Sequence, residues 1–390
     1  MTPLTSRRCT PLLLTPLLLA AVAAAQDAPY FPPRGEWARC APGEAGLDAA
    51  LLEAAVTFAI EHEASTPADL RAYIASTLAN EPHGEIVGPV RDRGPATGLV
   101  VRRGCVVAEW GDPDRVDMTF SVTKTYLSTV VGVAHDRGLV PRLDERVRAL
   151  VPTPHFEGGH NGAITWDHLL RQTSDWRGTL WGKPDWADRP PRSIPVADLP
   201  AQPEHEPGTT WKYNDVRVNL LAFAALQVWR EPLPVVLRRE VLDPIGCSAS
   251  WRWHGYETSW VELDGLRVQS VSGGGHWGGG MWVSSRDQAR FGYLFLRDGA
   301  WNGRRIVSEA WIARARTPTE ANPGYGYMNW FLNGARRALP SAPETSVTFR
   351  GAGANIVYLD WENDLLAVLR WIDGDEVDGF VARLLAAIAG

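Results

Sequence analysis

The sequence predicts a mixed α/β fold in which both ends of the chain build one sheet and a helical segment lies between them. Residues 97–112 contain two β-rich runs that turn at Arg103 and Gly104. Further strand patterns follow from Gly280 onward, whereas residues 125–270 are rich in helical patterns with only weak strand signals. A chain of 390 residues, 45% hydrophobic and 22% charged, can bury a large core.

The N-terminus has the layout of a secretory signal peptide. In residues 1–25, Arg7 and Arg8 precede an apolar run that ends in small residues, so we expect cleavage near Gln26 and a secreted or periplasmic protein. An uncleaved anchor is the alternative, but the run is shorter than the roughly 20 residues of a membrane span. Nothing downstream resembles a transmembrane helix. Residues 26–46 contain Pro and Gly and are predicted to be a linker.

Residues 47–390 are predicted to form a single domain. Its α/β part comprises about residues 47–120 and 275–390, and residues 121–274 form an all-helical insertion. The other predicted elements are a helix at 47–64, a core-facing helix that begins at Ser121 and ends before Gly138, strands in GMWVSS, YGYMNWFL and SVTFRG, two strands in NIVYLDWENDLLAVLRW, and a helix in EVDGFVARLLAAIAG.

Composition excludes several functional classes. A net charge of −6 without a basic run argues against nucleic-acid binding. After cleavage Cys40, Cys105 and Cys247 remain, so at most one disulfide can form, and we interpret these cysteines as buried and unreactive. No Gly-x-Ser-x-Gly elbow is present, and HEAST and HEPGT lack the second histidine of a zinc helix. GGGHWG is interpreted as a glycine-rich loop. We therefore expect no metal and no other cofactor.

One of the few lysines follows a serine by three positions. The chain contains Lys124, Lys183 and Lys212 only, and Lys124 shares the first turn of a predicted helix with Ser121. A serine hydroxyl needs a base to become a nucleophile, and a lysine can be that base when burial or nearby charge lowers its pKa. Arginine stays protonated and cannot replace it. The pattern predicts a nucleophile and its base, with a chance pairing as the alternative.

A second polar segment supplies a candidate proton carrier. Tyr213 is followed by Asn214 and Asp215 and preceded by Lys212. A tyrosine beside ammonium groups loses its proton more easily, and it can then pass protons between a nucleophile and a leaving group. The alternative is a surface tyrosine that starts a helix.

Together these segments resemble the serine β-lactamase and penicillin-binding protein superfamily, in particular the branch with class C β-lactamases, family VIII esterases and 6-aminohexanoate-dimer hydrolases. SVTK at 121–124 matches the first motif of that superfamily, Ser-x-x-Lys. YND at 213–215 matches the second motif at its tyrosine but has Asp215 where class C enzymes have asparagine. FRG at 349–351 occupies the third motif and retains only its glycine. The resemblance covers most of residues 95–375.

The resemblance implies a β-lactamase-like α+β sandwich and an acyl-enzyme mechanism. Ser121 would attack a carbonyl while Lys124 and Tyr213 remove its proton, and Tyr213 would give a proton to the leaving group. The backbone N–H groups of Ser121 and Ala352 would hold the oxyanion, with Gly351 beside them. Water would then release the acid.

Departures from the motifs bear on the substrate, which we expect to be a small ester or amide. The third motif lacks a lysine, so Arg350 is the only cation near it in sequence, and Asp215 places a negative charge that would suit an amine-bearing substrate. β-Lactams or cell-wall D-alanyl-D-alanine peptides are the second alternative, and a non-catalytic protein that binds peptidoglycan or a partner is the third. Four tryptophans of the insertion either line an aromatic cleft or pack in the core: Trp166, Trp176, Trp181 and Trp186.

Overall fold

The computed structural model describes residues 29–388, and the predicted signal peptide lies outside them. Its strands are β1 (Thr97–Arg102), β2 (Cys105–Trp110), β3 (Val116–Met118), β4 (Thr179–Leu180), β5 (Lys183–Pro184), β6 (Arg252–Leu263), β7 (Leu266–Val271), β8 (Gly280–Ser284), β9 (Ala300–Trp301), β10 (Arg304–Arg305), β11 (Phe331–Leu332), β12 (Val347–Gly351), β13 (Asn355–Asp360) and β14 (Leu365–Arg370). Its α-helices are α1 (Ala49–Glu61), α2 (Leu70–Leu78), α3 (Thr123–Asp136), α4 (Trp166–Leu170), α5 (Asp215–Trp229), α6 (Leu233–Leu237), α7 (Ser285–Leu296), α8 (Glu309–Ala315) and α9 (Val377–Ala386).

The main sheet joins the two ends of the domain, as the sequence predicts. It has six strands in the order β11-β12-β13-β14-β1-β2, and every neighbouring pair is antiparallel. The predicted hairpin of β1 and β2 turns at Arg103 and Gly104, whose φ angles are 50° and 83°. Positive φ at both central residues is what a two-residue turn between right-twisted strands requires. The N-terminal and C-terminal parts of the sheet are therefore joined by the pairing of β1 with β14.

Helices cover both faces of this sheet. Side chains alternate between the faces along a strand, and β14 shows the consequence, because Leu365 and Ala367 belong to one hydrophobic core cluster and Leu366 and Val368 to the other. The first cluster includes residues of α1 and α9, and the second includes residues of α3 and α7. This three-layer arrangement confirms the predicted fold class.

The insertion differs from the all-helical prediction, because β6 and β7 form a long antiparallel hairpin within it. The register of that hairpin shifts between Gly255 and Trp260, and such an irregularity interrupts the alternation that marks a strand in the sequence. The stretch YGYMNWFL also differs, since only Phe331–Leu332 is a strand and Asn329 before it has a φ of 68°.

Helices α3 and α5 form the interior of the insertion. Every residue of α3 from Thr123 to Ala134 is buried, and so is every residue of α5 from Asp215 to Leu226. Within residues 29–388 no single helix is long and apolar enough to cross a membrane. Two consecutive helical segments with a sharp bend between them, α5 and Leu233–Leu242, are together long and apolar enough, by length and composition only.

The end of the predicted linker is part of the folded domain. Trp37 is buried, and Arg39 forms a parallel bridge with Val106. Cys40 and Cys105 form a disulfide with a Cα–Cα distance of 5.7 Å, which corrects their interpretation as unreactive cysteines. A free buried thiol is found at Cys247, and burial raises its pKa well above the usual value.

Candidate active site

Ser121 lies in a short 3₁₀ turn, Phe120–Val122, that leads directly into α3. Phe120 has a φ of 46°, a left-handed conformation that is rare for a bulky residue and recurs at functional sites. Strand β8 holds the turn from both sides. The Thr119 N–H donates to the Met281 carbonyl at 2.9 Å, and the Met281 N–H donates to Thr123 Oγ1 at 2.9 Å.

Lys124 is placed between the serine and a carboxylate. Its Nζ lies 3.0 Å from Ser121 Oγ and 2.8 Å from Asp215 Oδ1. The side chains of Lys124 and Asp215 have no exposed surface, whereas Ser121 is half-buried. The predicted i, i+3 spacing thus brings the lysine to the hydroxyl, and α5 supplies the carboxylate from its first residue.

Arg189 is a second cation at the same carboxylate. Its Nη1 donates to Asp215 Oδ2 at 2.7 Å and to Asp188 Oδ1 at 2.6 Å. Although burial opposes it, Lys124 and Arg189 hold the pKa of the Asp215 carboxyl below its usual range. Because Arg189 is permanently charged, a cation still contacts Asp215 when Lys124 loses its proton. Complete burial lowers the pKa of Lys124, which Asp215 opposes and Arg189 reinforces.

This arrangement gives Asp215 a different task from the one expected. We expected it to face a substrate amine, but its carboxylate is fully buried, and a cation already contacts each of its oxygens. Its backbone N–H also donates to Asp188. The carboxylate is therefore positioned to orient Lys124 and Arg189 rather than to meet a substrate.

Tyr213 lies over the two cations. Its ring centroid is 4.6 Å from Lys124 Nζ and 5.1 Å from Arg189 Cζ. Burial and the Asp215 carboxylate raise the pKa of the phenol, while Arg189 and the Ser121 hydroxyl act in the opposite direction. The net direction is upward, contrary to the expectation of an easily lost proton. Tyr213 is thus poised as a proton donor.

Gly274 lies directly against the ion pair of Lys124 and Asp215. A methyl group on Gly274 would overlap Asp215 Oδ1 and Lys124 Nζ, so only a residue without Cβ fits there. The loop is held on both sides of this position, because the Gly273 N–H donates to Asn219 Oδ1 at 2.9 Å and the Gly275 N–H donates to Ser272 Oγ at 3.0 Å. The glycine-rich loop predicted from the sequence is therefore part of the site.

The third motif lies beside the turn that contains Ser121. A Cβ on Gly351 would overlap the Thr119 carbonyl, so β12 approaches the turn closely at this point. Asn329 joins the two segments, because its Nδ2 donates to the Ser121 carbonyl at 2.6 Å and to the Arg350 carbonyl at 2.7 Å. The Arg350 N–H donates back to Asn329 Oδ1. Ala352 is exposed in the turn that follows β12.

Arg350 carries a charge that no acidic side chain within residues 29–388 contacts as an ion pair. Its Nε donates to Thr348 Oγ1 at 2.7 Å, and its guanidinium lies 5.1 Å from the Phe331 ring centroid. The side chain is half-buried, and burial lowers its pKa. It is a free cation next to the predicted oxyanion strand.

Behind Arg189 the polar network continues to Glu81. Arg189 Nη2 lies 2.9 Å from His276 Nδ1, and His276 Nε2 lies 2.8 Å from Glu81 Oε2 and 3.4 Å from Asp188 Oδ1. Glu81, Asp188 and His276 are also close enough to share a metal ion, with ligand atoms within 4.8 Å of one another. Since Arg189 already contacts two of them, we assign them to the hydrogen-bond network.

Sequence reasoning missed Arg189, His276, Gly274 and Asn329. Arginine is abundant in this chain, so Arg189 carries no local signal. The sequence held one signal for a second cation, and it lies at Asp215. A carboxylate that follows the motif tyrosine by two residues, and is buried, needs a counter-charge in addition to the motif lysine. Gly274 and His276 lie in the glycine-rich loop that the sequence shows, but nothing in that pattern assigns the loop to the site, and Asn329 acts through amide hydrogen bonds that leave no mark in composition or spacing.

Comparisons with known proteins agree with this geometry. The family model described as Beta-lactamase matches residues 86–371. No curated protein matches. Among solved structures, the chain is similar to a family VIII carboxylesterase, with 18% identity over 84% of this chain and 98% of that one and a TM-score of 0.54. It is similar to EstCE1, a hydrolase with promiscuous acyltransferase activity, with 19% identity over 88% and 100% and a TM-score of 0.53. It is also similar to a beta-lactamase from Mycobacterium bovis, with 19% identity over 80% and 98% and a TM-score of 0.53. The chain belongs to the beta-lactamase family, within the superfamily of serine β-lactamases and penicillin-binding proteins.

Proposed function

We propose that this family member is a secreted or periplasmic serine hydrolase that cleaves small esters or amides through an acyl-enzyme on Ser121. The observation that carries the proposal is the position of Lys124 Nζ, 3.0 Å from Ser121 Oγ, while Arg189 also contacts the carboxylate behind it. A lysine held there is able to be uncharged and to act as a base. The Cys40–Cys105 disulfide supports an oxidising compartment.

Acylation would proceed in balanced proton steps. Ser121 gives its hydroxyl proton to Lys124 Nζ as Oγ bonds to the substrate carbonyl carbon, and the N–H groups of Ser121 and Ala352 hold the oxyanion. Tyr213 then gives its phenolic proton to the leaving oxygen or nitrogen as that bond breaks, and Lys124 returns a proton to Tyr213. In deacylation, water attacks the acyl-enzyme ester, the proton transfers run in the reverse order, and the Ser121 hydroxyl is restored.

Esters and amides are the preferred substrate classes for two reasons: the names of similar structures, and the departure of this chain from the third motif of the superfamily. Two of the similar structures are named as a carboxylesterase and as a hydrolase with acyltransferase activity. The third motif, at Phe349–Gly351, lacks its lysine.

A second candidate is favoured by one observation. The unpaired charge of Arg350 is fixed near the nucleophile through Asn329, so a substrate with a carboxylate, such as a β-lactam or a cell-wall peptide, would find a partner there. Arg350→Met should lower kcat/KM about tenfold or more for such anionic substrates and leave neutral esters within about threefold. Equal losses for both classes would contradict this candidate.

The intact mass of the mature protein after exposure to a fluorophosphonate tests the proposal. We expect a single adduct that disappears in Ser121→Ala and forms at least about a hundredfold more slowly in Lys124→Ala. Ser128→Ala is the matched control, because Ser128 lies on the same helix and donates only to the Thr125 carbonyl. A folded wild-type protein without an adduct would contradict the proposal and favour the non-catalytic binding protein.

Hydrolysis assays then separate the substrate classes. 4-Nitrophenyl butyrate, the matching 4-nitroanilide and a chromogenic cephalosporin present an ester, an amide and a β-lactam to the same serine. We expect the butyrate to have the highest kcat/KM. Turnover of the cephalosporin alone would overturn the preference for esters and amides.

A further inference from the structure

A cavity of about 410 Å³ lies next to the site and is lined by residues that the proposed reaction does not use. Its apolar wall includes Trp186, Ile194, Leu199 and Trp211. Trp186 is one of the tryptophans singled out in the sequence, and it is half-buried here, whereas Trp166 and Trp176 are core residues. Pockets with aromatic and aliphatic walls and a few polar groups are typical small-molecule sites.

The charges of this cavity do not balance. Arg177, Lys212 and Arg217 line it together with the carboxylates of Asp175 and Asp185. Both carboxylates are already matched: Arg217 Nη2 donates to Asp175 Oδ1 at 2.9 Å and to Asp185 Oδ2 at 3.1 Å, and Arg177 Nη2 lies 3.2 Å from Asp175 Oδ2. Two arginines thus serve two carboxylates, and the charge of Lys212 is in excess.

Lys212 differs from the other two lysines of the chain. Lys124 contacts Ser121 and Asp215, and Lys183 Nζ contacts the carbonyl and carboxylate of Glu85 at 2.9 and 3.3 Å. Across the described part of the chain, no carboxylate lies within 4.0 Å of the half-buried Lys212 ammonium. Burial, and the charge of Arg217 after it, lower its pKa, whereas the more distant carboxylates of Asp188 and Asp185 oppose this shift. A partly buried ammonium without a partner is costly to maintain unless a ligand supplies the counter-charge.

Two further donors on the lining residues lack acceptors. The Trp211 indole N–H and the Arg177 Nε–H are both buried and find no hydrogen-bond partner among residues 29–388. All the unsatisfied groups are therefore donors, which a carboxylate can satisfy because it only accepts. We propose that this cavity is a binding site for a small monocarboxylate with an apolar body, whose carboxylate pairs with Lys212 and whose body packs against Trp186 and Trp211.

The cavity shares a wall with the reaction site. The Trp211 ring lies 5.3 Å from the ring of Tyr325 and 6.1 Å from that of Tyr213, and Lys212 is the residue between Trp211 and Tyr213. Pro191 and Leu199, on the segment that brings Arg189 to Asp215, also line the cavity. The inference does not rest on the proposed hydrolysis, so its test is a measurement of binding on a variant without the nucleophile.

Isothermal titration of the mature Ser121→Ala protein with 4-phenylbutyrate, and with 4-phenylbutyramide as the uncharged analogue, tests the proposal. We expect saturable binding at one site, with the amide at least about tenfold weaker because it cannot form the charge-assisted pair. Lys212→Met should weaken the carboxylate at least about tenfold and leave the amide unchanged, and Lys212→Arg should retain most of the affinity.

Arg304→Met is the matched control, because it removes an exposed cation on β10 and should not change binding. Melting temperatures of all variants show whether each is folded. Equal affinity of the carboxylate for Lys212→Met and its parent, equal affinity of acid and amide, or no binding to the folded parent would each overturn the proposal. None of these results bears on labelling of Ser121, so the two proposals fail independently.

Discussion

Arg189 and Lys124 bind opposite oxygens of one buried carboxylate, at 2.7 Å from Asp215 Oδ2 and 2.8 Å from Asp215 Oδ1. The two cations are not equivalent, since only the lysine can lose its proton at an accessible pH. In the proposed reaction, the arginine therefore keeps a positive charge at the carboxylate while the lysine changes charge.

Asp215→Asn should move the pH dependence of Ser121 labelling to lower pH. Asp215 raises the pKa of Lys124, so its removal lets burial and Arg189 lower that pKa further. The rate of fluorophosphonate labelling, followed from pH 5 to about pH 10, should then begin to rise at a lower pH than in the parent. An unchanged or alkaline-shifted profile would mean that Asp215 does not control the charge of Lys124.

Arg189→Met should move the same profile to higher pH. Arg189 lowers the pKa values of Lys124 and Tyr213, so its loss raises both, and labelling at neutral pH should fall about tenfold or more. Arg192→Met is the control, because Arg192 is exposed on the same segment. Opposite shifts for the two substitutions at the carboxylate are the signature of the network. A merely structural role for Arg189 would lower the rate without moving the profile.

Gly274→Ala should abolish labelling at a modest cost in stability. The added methyl group would overlap Lys124 Nζ and Asp215 Oδ1, so the lysine has to move away from Ser121, and the free energy of unfolding should fall by about 1–3 kcal/mol. Gly159→Ala meets no atom within 4 Å and is the matched control for labelling and for denaturant unfolding. Normal labelling of Gly274→Ala would show that the loop gives way easily.

Asn329→Ala should reduce kcat more than it changes KM. Its amide joins the Ser121 carbonyl to the backbone of Arg350 on β12, so its removal loosens the turn and the predicted oxyanion site, while the binding of a neutral ester does not depend on the Arg350 charge. Steady-state kinetics on the best ester should show a loss of about tenfold to a hundredfold in kcat. A change confined to KM would assign Asn329 to substrate binding.

Reduction of the Cys40–Cys105 disulfide should lower the free energy of unfolding by about 2–4 kcal/mol, because the bridge closes a loop across a sequence separation of 65. Denaturant unfolding with and without a reducing agent measures this, and Cys40→Ser should reproduce the effect of reduction. Cys247→Ser, which removes the free thiol, serves as a comparison for the loss of any cysteine. Equal stability with and without the bridge would contradict the prediction.

The pair β13–β14 and the motif around Ser121 were predictable because local rules govern them. Two short continuous apolar runs flank a turn at Asp364, whose φ is 46°, and the helical spacing alone brings Lys124 to Ser121. The bulged strand β6 was not predictable, because its alternation breaks between Gly255 and Trp260. Arg189 was not predictable either, because it contacts Asp215 from an irregular, proline-rich stretch that has no periodicity to interpret.

The site also has a consequence for the order in which activity appears during synthesis. Ser121 and Lys124 leave the ribosome early, whereas Gly351 and strand β14, which pairs with β1, are translated near the end. A nascent chain therefore carries the serine without the wall that completes it. The proposed acyl transfer would have to wait until β14 has paired with β1, and a chain threaded unfolded across a membrane would remain inert until it folds on the far side.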